Sequence, residues 1–259
     1  MRTPTLRIFQ GAMVADGRAF AIGPESRARL GALGVRWRQG EHVLVTGGTG
    51  SGKTLLARQL DQIRIDRGGY VVVFVCKTLP DDTILENYPA RDGWVRWTRW
   101  HKRPLITENK ILLWPKVEGK PYKEAAAIMR KVFSEALMAV QRSGKWTVHV
   151  DEGLFFTDPA FLGFRGDLGM MYSLIRAAKG TLITLAQRPA HLPVTIYPNI
   201  THAFVGQASE AMDIKRLADM DGRAGSRDLQ RRITALGKHD FLHIDVGSQA
   251  PPTVWNLKR

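Results

Sequence analysis

The most constraining feature of this sequence is a glycine-rich run that lies between an apolar segment and a helical segment. The run reads VTGGTGSGKT, and it fits the spacing G-x-x-x-x-G-K-[ST] from Gly47 to Thr54. Glycine allows the backbone to wrap closely around phosphate oxygens, and the positive end of the helix that follows attracts an anion. The run therefore predicts a binding loop for a nucleoside triphosphate, called the P-loop below.

The residue types of the P-loop predict specific contacts with the nucleotide. Lys53 should reach the β- and γ-phosphates, and the hydroxyl of Thr54 should ligate Mg²⁺. A glycine-rich turn that binds nothing would not explain why a lysine and a threonine follow the last glycine. The predicted nucleotide-binding residues are Gly47, Gly48, Thr49, Gly50, Ser51, Gly52, Lys53 and Thr54.

A second polar site is predicted where the mostly apolar run WTVHV ends in Asp151 and Glu152. An aspartate at a strand end suits the Mg²⁺ shell, and the adjacent glutamate suits a general base that activates water. The pair favours ATP hydrolysis over phosphoryl transfer to a small metabolite, so we expect an ATPase with ATP and Mg²⁺ as cofactors. His149 interrupts the apolar run, and it is either a sensor of this site or a hydrogen-bonded core histidine.

Hydrophobic periodicity predicts strands that alternate with helices. Short strand-like pieces (LRIF and AFAI) precede the P-loop, 78–121 reads as irregular, and FLHIDV reads as the last strand. This alternation predicts an α/β fold with a mainly parallel central sheet flanked by helices. We expect a single ATPase domain over 1–259, with an N-terminal strand or arm region in 1–35, the core in 36–246 and a short tail in 247–259.

The individual elements follow from runs of β-branched residues and from helical spacing of apolar residues. The predicted strands are 42–46, 70–76, 146–150, 181–187, 203–207 and 241–246, and the predicted helices are 53 to about 68, 123–142, 167–179 and 208–220.

The charge of the chain indicates a polyanionic partner. Its formal net charge is +14 and its pI is about 10.3, which favours nucleic acid over a basic surface that serves only solubility. No apolar run reaches the ~18 residues of a membrane-spanning helix, and the N-terminus does not resemble a secretory signal. The single cysteine, Cys76, cannot form an internal disulfide, which fits a reducing compartment. We therefore expect a cytoplasmic protein.

Two basic segments are candidates for contact with DNA. In RDGWVRWTRWHKRP, tryptophans recur every third residue among basic side chains, and the segment 223–238 holds 5 basic residues against 1 acidic residue. Such side chains can meet phosphates while rings stack on bases. The alternative is a strand with core tryptophans, or a solvated basic helix. The candidate DNA-binding residues are Arg96, Arg99, Lys102, Arg103, Arg231 and Arg232.

Several motifs, taken in order, resemble those of the HerA/FtsK superfamily of DNA-pumping ATPases. HVLVTGGTGSGKT is similar to the P-loop strand of that family, VHVDEG to its metal and base strand, and IRAAKGTLITLAQRP to its arginine and polar sensor strand. ITHAFVGQASEAMDIKRL is similar to the next strand and helix, and LGKHDFL to the turn before the last strand. The resemblance covers roughly 35–246 and implies a P-loop NTPase fold of the RecA/ASCE type.

This resemblance implies further site residues. Gln187 would be the polar sensor at the end of the strand beside the P-loop, where it orients water or touches the γ-phosphate. Arg176 would be the arginine finger that reaches the nucleotide of a neighbouring subunit, and Arg188 and Arg216 are rivals for that role. A solvated position on a helix face is the alternative for Arg176. The implied catalytic set is Glu152, Arg176 and Gln187.

The resemblance also implies a function, which we state as an expectation. A nearly minimal motor core resembles the genome-packaging ATPases of some phages and membrane-containing viruses. It implies a ring-forming, ATP-driven translocase of double-stranded DNA that works with a capsid or portal component in the host cytoplasm. The alternatives are a conjugation or plasmid DNA-transfer pump, a nucleotide-dependent phage assembly protein that does not move DNA, and a small-molecule kinase.

Overall fold

Strands and helices alternate along the part of the chain that the computed structural model describes, which comprises residues 13–15, 18–20, 31–33, 36–101, 108–220, 226–246, 248 and 250–257. The strands are β1 (Met13–Ala15), β2 (Arg18–Phe20), β3 (His42–Thr46), β4 (Tyr70–Phe74), β5 (Val95–Trp97), β6 (Lys110–Leu113), β7 (Trp146–Val150), β8 (Thr181–Ala186), β9 (Ile200–Gly206), β10 (Asp240–Asp245) and β11 (Thr253–Asn256). The α-helices are α1 (Lys53–Asp66), α2 (Asp82–Asn87), α3 (Tyr122–Ser143), α4 (Gly153–Thr157), α5 (Arg165–Ala177), α6 (Ala211–Ala218) and α7 (Ser226–Thr234).

The central sheet has the order β11-β10-β9-β3-β8-β7-β4-β6-β5. The strands from β9 to β5 in this order pair in parallel, whereas β10 pairs antiparallel with both β9 and β11. The predicted α/β fold with a mainly parallel sheet is therefore confirmed. The carboxyl ends of β3, β8, β7 and β4 lie side by side at one edge, the carboxyl edge, where the P-loop, Asp151, Glu152 and Gln187 follow their strands.

Helices cover both faces of the sheet because side chains of a strand alternate between its faces. On one face, Val43 and Val45 of β3 pack in a buried cluster with Leu56 and Leu60 of α1. On the other face, Leu44 belongs to a larger cluster that includes residues of α3, α5, α6 and α7. The strands of the middle of the sheet are consequently buried on both sides, which explains their continuous apolar runs.

The segment 78–121 is not irregular, contrary to the prediction. It contains α2, β5 and β6, and the two strands extend the sheet beyond β4. Both strands are only a few residues long, so their periodicity is too short to be recognised in the sequence. β6 pairs with β4, and β5 pairs with β6, so the backbone hydrogen bonds that stabilise both strands come from a neighbouring strand rather than from local propensity.

The run FLHIDV is not the last strand, because β11 follows it. This strand belongs to the predicted tail and pairs antiparallel with β10, from Asp240–Asn256 to His243–Thr253. Its Trp255 is buried against the rings of Phe204 and His243. Packing of one aromatic side chain thus fixes a strand that has little apolar pattern. The division into arm, core and tail stays a prediction.

Near the N-terminus, β1 and β2 form a separate two-stranded antiparallel sheet in which Met13 pairs with Phe20. The second predicted piece, AFAI, overlaps β2. The first piece, LRIF, lies outside the described residues.

Candidate nucleotide-binding and hydrolysis site

The P-loop has the backbone that a phosphate-binding nest requires. Gly50 and Gly52 have φ angles of 70° and 98°, which lie in the left-handed region where glycine is favoured. A side chain on Gly52 would also collide with Leu257, since its Cβ would lie 2.8 Å from Cδ1 of that residue. Glycine at position 52 therefore permits both the left-handed backbone of the loop and the close contact with Leu257.

Lys53 folds back over the P-loop at the start of α1. Its ammonium group donates hydrogen bonds of 2.8 Å to the carbonyl oxygen of Gly47 and 2.9 Å to that of Gly48. Burial lowers the pKa of this lysine, although the Glu152 carboxylate acts in the opposite direction. The cation is thus held over the loop where phosphate oxygens would replace the two carbonyl groups as its partners.

A cavity of about 460 Å³ opens in front of the P-loop. Its floor is formed by the loop and the start of α1, and one wall carries the predicted carboxylates Asp151 and Glu152. Lys238, His239 and Leu257 also line the cavity. Pockets that bind small molecules in proteins usually have volumes of about 300–1,000 Å³. The cavity is therefore large enough for a small-molecule ligand, and its walls offer both charged and apolar contacts.

Asp151 is fixed at the carboxyl edge directly after β7. One carboxylate oxygen accepts a 2.9 Å hydrogen bond from the backbone N–H of Cys76, which follows β4. The other oxygen is buried, and no hydrogen-bond partner for it exists among the described residues. Burial raises the pKa of Asp151. A buried oxygen without a partner, in the cavity that Thr54 also lines, fits a Mg²⁺ ligand.

Gln187 connects the P-loop with the predicted base. Its amide nitrogen donates to Oε2 of Glu152 at 3.3 Å, and its amide oxygen accepts from the hydroxyl of Thr49 at 3.4 Å. The connection exists because β8 lies between β3 and β7, so Gln187 emerges beside both. This is the strand position that the resemblance implied.

The environment of Glu152 favours proton transfer. Burial is the main cause that raises the pKa of this carboxyl group, and the neighbouring Asp151 adds to it, whereas Lys77 and Lys53 act in the opposite direction. A carboxylate with a raised pKa is a stronger base once it is ionised. The raised pKa is therefore consistent with a role of Glu152 in accepting a proton from a water molecule.

The three candidate arginines lie in different places. The guanidinium of Arg176 donates to the carbonyl of Gly40 and to the hydroxyl of Thr201, both at 3.3 Å, which places it at the amino edge of the sheet. Arg188 follows Gln187 and forms a 2.6 Å ion pair with Asp213. Arg216 lies over the ring of Tyr197 at 5.5 Å. The structure of one chain leaves the identity of the arginine finger a prediction.

In the tryptophan-rich segment, two of the rings belong to the core, which is the alternative to a DNA-binding surface. Trp94 and Trp97 are only 3% and 5% exposed. Arg96 stacks on the ring of Trp114 and pairs with Glu118 at 3.1 Å, whereas Arg99 is exposed. Burial of the two rings by the sheet removes them from the surface that DNA could reach.

Two of the remaining DNA candidates belong to α7. Arg231 is exposed and lies 3.5 Å from Asp228, and Arg232 donates to the carbonyl of Pro252 at 2.7 Å. Lys102 and Arg103 lie outside the described residues. Contact of any of these residues with DNA stays a prediction.

His149 is a hydrogen-bonded core histidine. It is fully buried, its Nδ1 lies 2.9 Å from a carboxylate oxygen of Asp61, and the hydroxyl of Tyr88 donates to the same oxygen at 2.9 Å. Asp61 belongs to α1 and His149 to β7. The group therefore ties the P-loop helix to the strand that carries Asp151.

Two lysines in the cavity were missed by sequence reasoning. Lys77 follows β4 at the carboxyl edge and lies 3.8 Å from Asp81. The signal that could have found it is its position after a buried parallel strand, because such strand ends meet at one edge. Lys238 lies in the LGKHDFL turn, and only the antiparallel direction of β10 brings it to this edge.

No protein-family model matches the chain, and no curated protein sequence matches it either. Among the described residues, no helix has the length and apolar character needed to cross a membrane.

Solved structures show which fold the chain shares. The genome packaging NTPase B204 from Sulfolobus turreted icosahedral virus 2, in complex with AMPPCP, is 14% identical and aligns over 84% of this chain and 98% of that chain, with a TM-score of 0.59. The DNA-packaging ATPase B204 from Sulfolobus turreted icosahedral virus is 14% identical over 86% and 100% of the two chains, with a TM-score of 0.58. VirB4 of Thermoanaerobacter pseudethanolicus is 11% identical over 84% and 88%, with a TM-score of 0.60. At these identities the likeness is one of fold, and it confirms that the chain shares the α/β fold of these ATPases, as the sequence implied.

Proposed function

We propose that this chain is a Mg²⁺-dependent ATPase that assembles as a ring and moves double-stranded DNA. The observation that carries the ATPase part of the proposal is the bridge by which Gln187 joins Thr49 of the P-loop to Glu152. This bridge supports a site in which Glu152 activates water and Gln187 acts as the polar sensor beside the terminal phosphate. It supports hydrolysis, since a carboxylate beside the terminal phosphate can activate a water molecule.

The proposed reaction uses groups of the chain in defined roles. The P-loop amides and Lys53 bind the β- and γ-phosphates, and Gln187 orients the attacking water while Glu152 removes its proton. Thr54 and Asp151 would hold Mg²⁺, which supplies positive charge against the phosphate oxygens. The proton ends on the carboxylate of Glu152, and the products are ADP and inorganic phosphate.

The ring part of the proposal concerns Arg176. This arginine lies at the amino edge of its own sheet, and the five residues of β3 separate that edge from the P-loop by roughly 15 Å. At that distance it cannot reach its own nucleotide, so a role of Arg176 in hydrolysis requires a neighbouring subunit. A guanidinium supplied by a neighbour would neutralise charge in the transition state and couple hydrolysis to subunit contact.

Mixing two inactive variants tests this role for Arg176. A Lys53→Ala subunit keeps its arginine, and an Arg176→Ala subunit keeps its P-loop, so a mixture of the two can form complete sites between subunits. We expect each variant alone to be inactive and the mixture to regain ATP turnover, measured as phosphate release. A mixture that stays as inactive as its components would contradict a role of Arg176 in the neighbour's site.

The DNA part of the proposal rests on charge and on the shared fold. The net charge of +14 favours a polyanion, and exposed basic side chains such as Arg99 and Arg231 can meet backbone phosphates without reading sequence. Two of the proteins that share this fold are named as a genome packaging NTPase and a DNA-packaging ATPase, and both come from viruses. We therefore propose a viral genome-packaging motor, active in the host cytoplasm with a capsid or portal component as partner.

Turnover with and without duplex DNA tests this function. At low salt we expect duplex DNA to raise the ATPase rate severalfold, and the effect should disappear as salt rises, because phosphate contacts release counterions. Heparin serves as the control polyanion, and it should not replace DNA. If duplex DNA neither binds to the protein nor stimulates ATP turnover at low salt, the motor proposal is contradicted and the ATPase proposal remains.

A conjugation pump is the second candidate, because the fold of VirB4 is as similar as that of the packaging ATPases. A packaging motor that grips a duplex should respond to double-stranded DNA more strongly than to single-stranded DNA. The same assay with single-stranded DNA separates the two functions, since a pump that exports one strand should show the opposite preference.

A further inference from the structure

The turn that precedes β10 is fixed against the P-loop. It is closed by a 3.0 Å hydrogen bond from the backbone N–H of Gly237 to the carboxylate of Asp240. One ring nitrogen of His239 lies 3.3 Å from the carbonyl oxygen of Ser51, and the N–H of Leu257 donates to the carbonyl of His239 at 3.0 Å. The turn therefore has a defined position relative to the nucleotide cavity.

Lys238 at the tip of this turn faces the middle of the P-loop. A Cβ atom on Gly50 would lie 3.8 Å from its Cε and 3.9 Å from its Nζ, which is ordinary contact distance. The lysine lines the same cavity as Lys53 and Thr54. A side chain larger than hydrogen at position 50 would extend into the space between the loop and this ammonium group.

The part of the P-loop next to Lys238 is the part that faces the hydrolysis groups. Thr49 precedes Gly50 and contacts Gln187, which in turn contacts Glu152. The terminal phosphate must lie near this bridge, since hydrolysis needs the base and the sensor beside the phosphorus that is attacked. Lys238 thus lies beside Gly50, one residue from the part of the P-loop that contacts Gln187.

We propose that Lys238 is a further cation of the nucleotide site, in addition to Lys53, and that it contacts the terminal phosphate from within the same subunit. The proposal rests on nucleotide binding by the P-loop and adds a contact that makes the site prefer a triphosphate to a diphosphate. An ammonium group that meets a phosphate oxygen forms a charge-assisted hydrogen bond, which is about twice as strong as a neutral one.

Binding of two nucleotides to a Lys238→Ala variant tests the proposal. Affinities for Mg²⁺ with AMPPCP and for Mg²⁺ with ADP are measured by calorimetry, together with those of a Lys238→Arg variant. We expect Lys238→Ala to weaken AMPPCP binding about tenfold, and ADP binding less than about twofold. Lys238→Arg should retain most of the affinity for AMPPCP, because it keeps the positive charge.

Lys215→Ala is the matched control, since Lys215 is an exposed lysine on α6 that does not line the nucleotide cavity. It should bind both nucleotides like the unchanged protein. Equal AMPPCP affinity in Lys238→Ala, or equal losses for AMPPCP and ADP, would overturn the contact with the terminal phosphate. If the unchanged protein binds neither nucleotide, the P-loop site itself fails, which is a distinct result.

Discussion

A Lys53→Ala protein is expected to lose ATP turnover by at least ~100-fold, because it lacks the cation that meets the charge of the β- and γ-phosphates. The ammonium group already lies over the P-loop, where it is held by the carbonyl oxygens of Gly47 and Gly48. Its removal takes away a charge that is preorganised in a partly buried place. Nucleotide affinity and phosphate release are the two measurements, and both should fall.

Lys215→Ala is again a suitable control for the Lys53 variant, since both remove one lysine and only Lys53 lies in the cavity. Circular dichroism should show that the Lys53 variant is folded, because the two carbonyl groups of the loop can accept hydrogen bonds from water instead. Full ATPase activity in the Lys53→Ala protein would remove the P-loop assignment altogether.

A Glu152→Gln protein should still bind ATP and should hydrolyse it about 10²–10⁴ times more slowly, the usual contribution of a positioned acid or base. The change replaces one carboxylate oxygen by an amide nitrogen and keeps the shape of the side chain. The remaining oxygen can still accept the hydrogen bond from Gln187, so the bridge to Thr49 is preserved. The loss should therefore appear in single-turnover rates and not in AMPPCP affinity.

The matched control for this variant is Glu86→Gln, which makes the same chemical change at an exposed position on α2. Its turnover should equal that of the unchanged protein. Normal turnover in Glu152→Gln would remove the role of Glu152 as the base. A loss of AMPPCP affinity as large as the loss of rate would show instead that the carboxylate acts in binding.

The local parts of the site could be predicted from the sequence. The P-loop is one run of consecutive residues between β3 and α1, and its spacing alone specifies the turn, the helix start and the lysine. Asp151 and Glu152 follow an apolar strand, so their place at the carboxyl edge of a parallel sheet also follows from the sequence. In both cases the residues that act together either are neighbours in the chain or directly follow a strand that the sequence pattern identifies.

Other features depended on which strands become neighbours. The contact between Asp151 and Cys76 exists because β7 pairs with β4, and the bridge from Gln187 exists because β8 lies between β3 and β7. The resemblance to known ATPases implied the second arrangement, whereas periodicity implied neither. Burial of Trp97 likewise depends on the short strands at the edge of the sheet.

The sequence by itself determined that the chain carries a P-loop, a carboxylate pair and a mainly parallel sheet. Only the tertiary structure decided that Lys238 and Leu257 lie against that P-loop, because β10 runs antiparallel to β9 and β11 turns back upon it. The physical reason is that spacing along the chain encodes local conformation. Contacts between distant segments are set by strand order and by the direction of pairing, which a single strand's pattern does not contain.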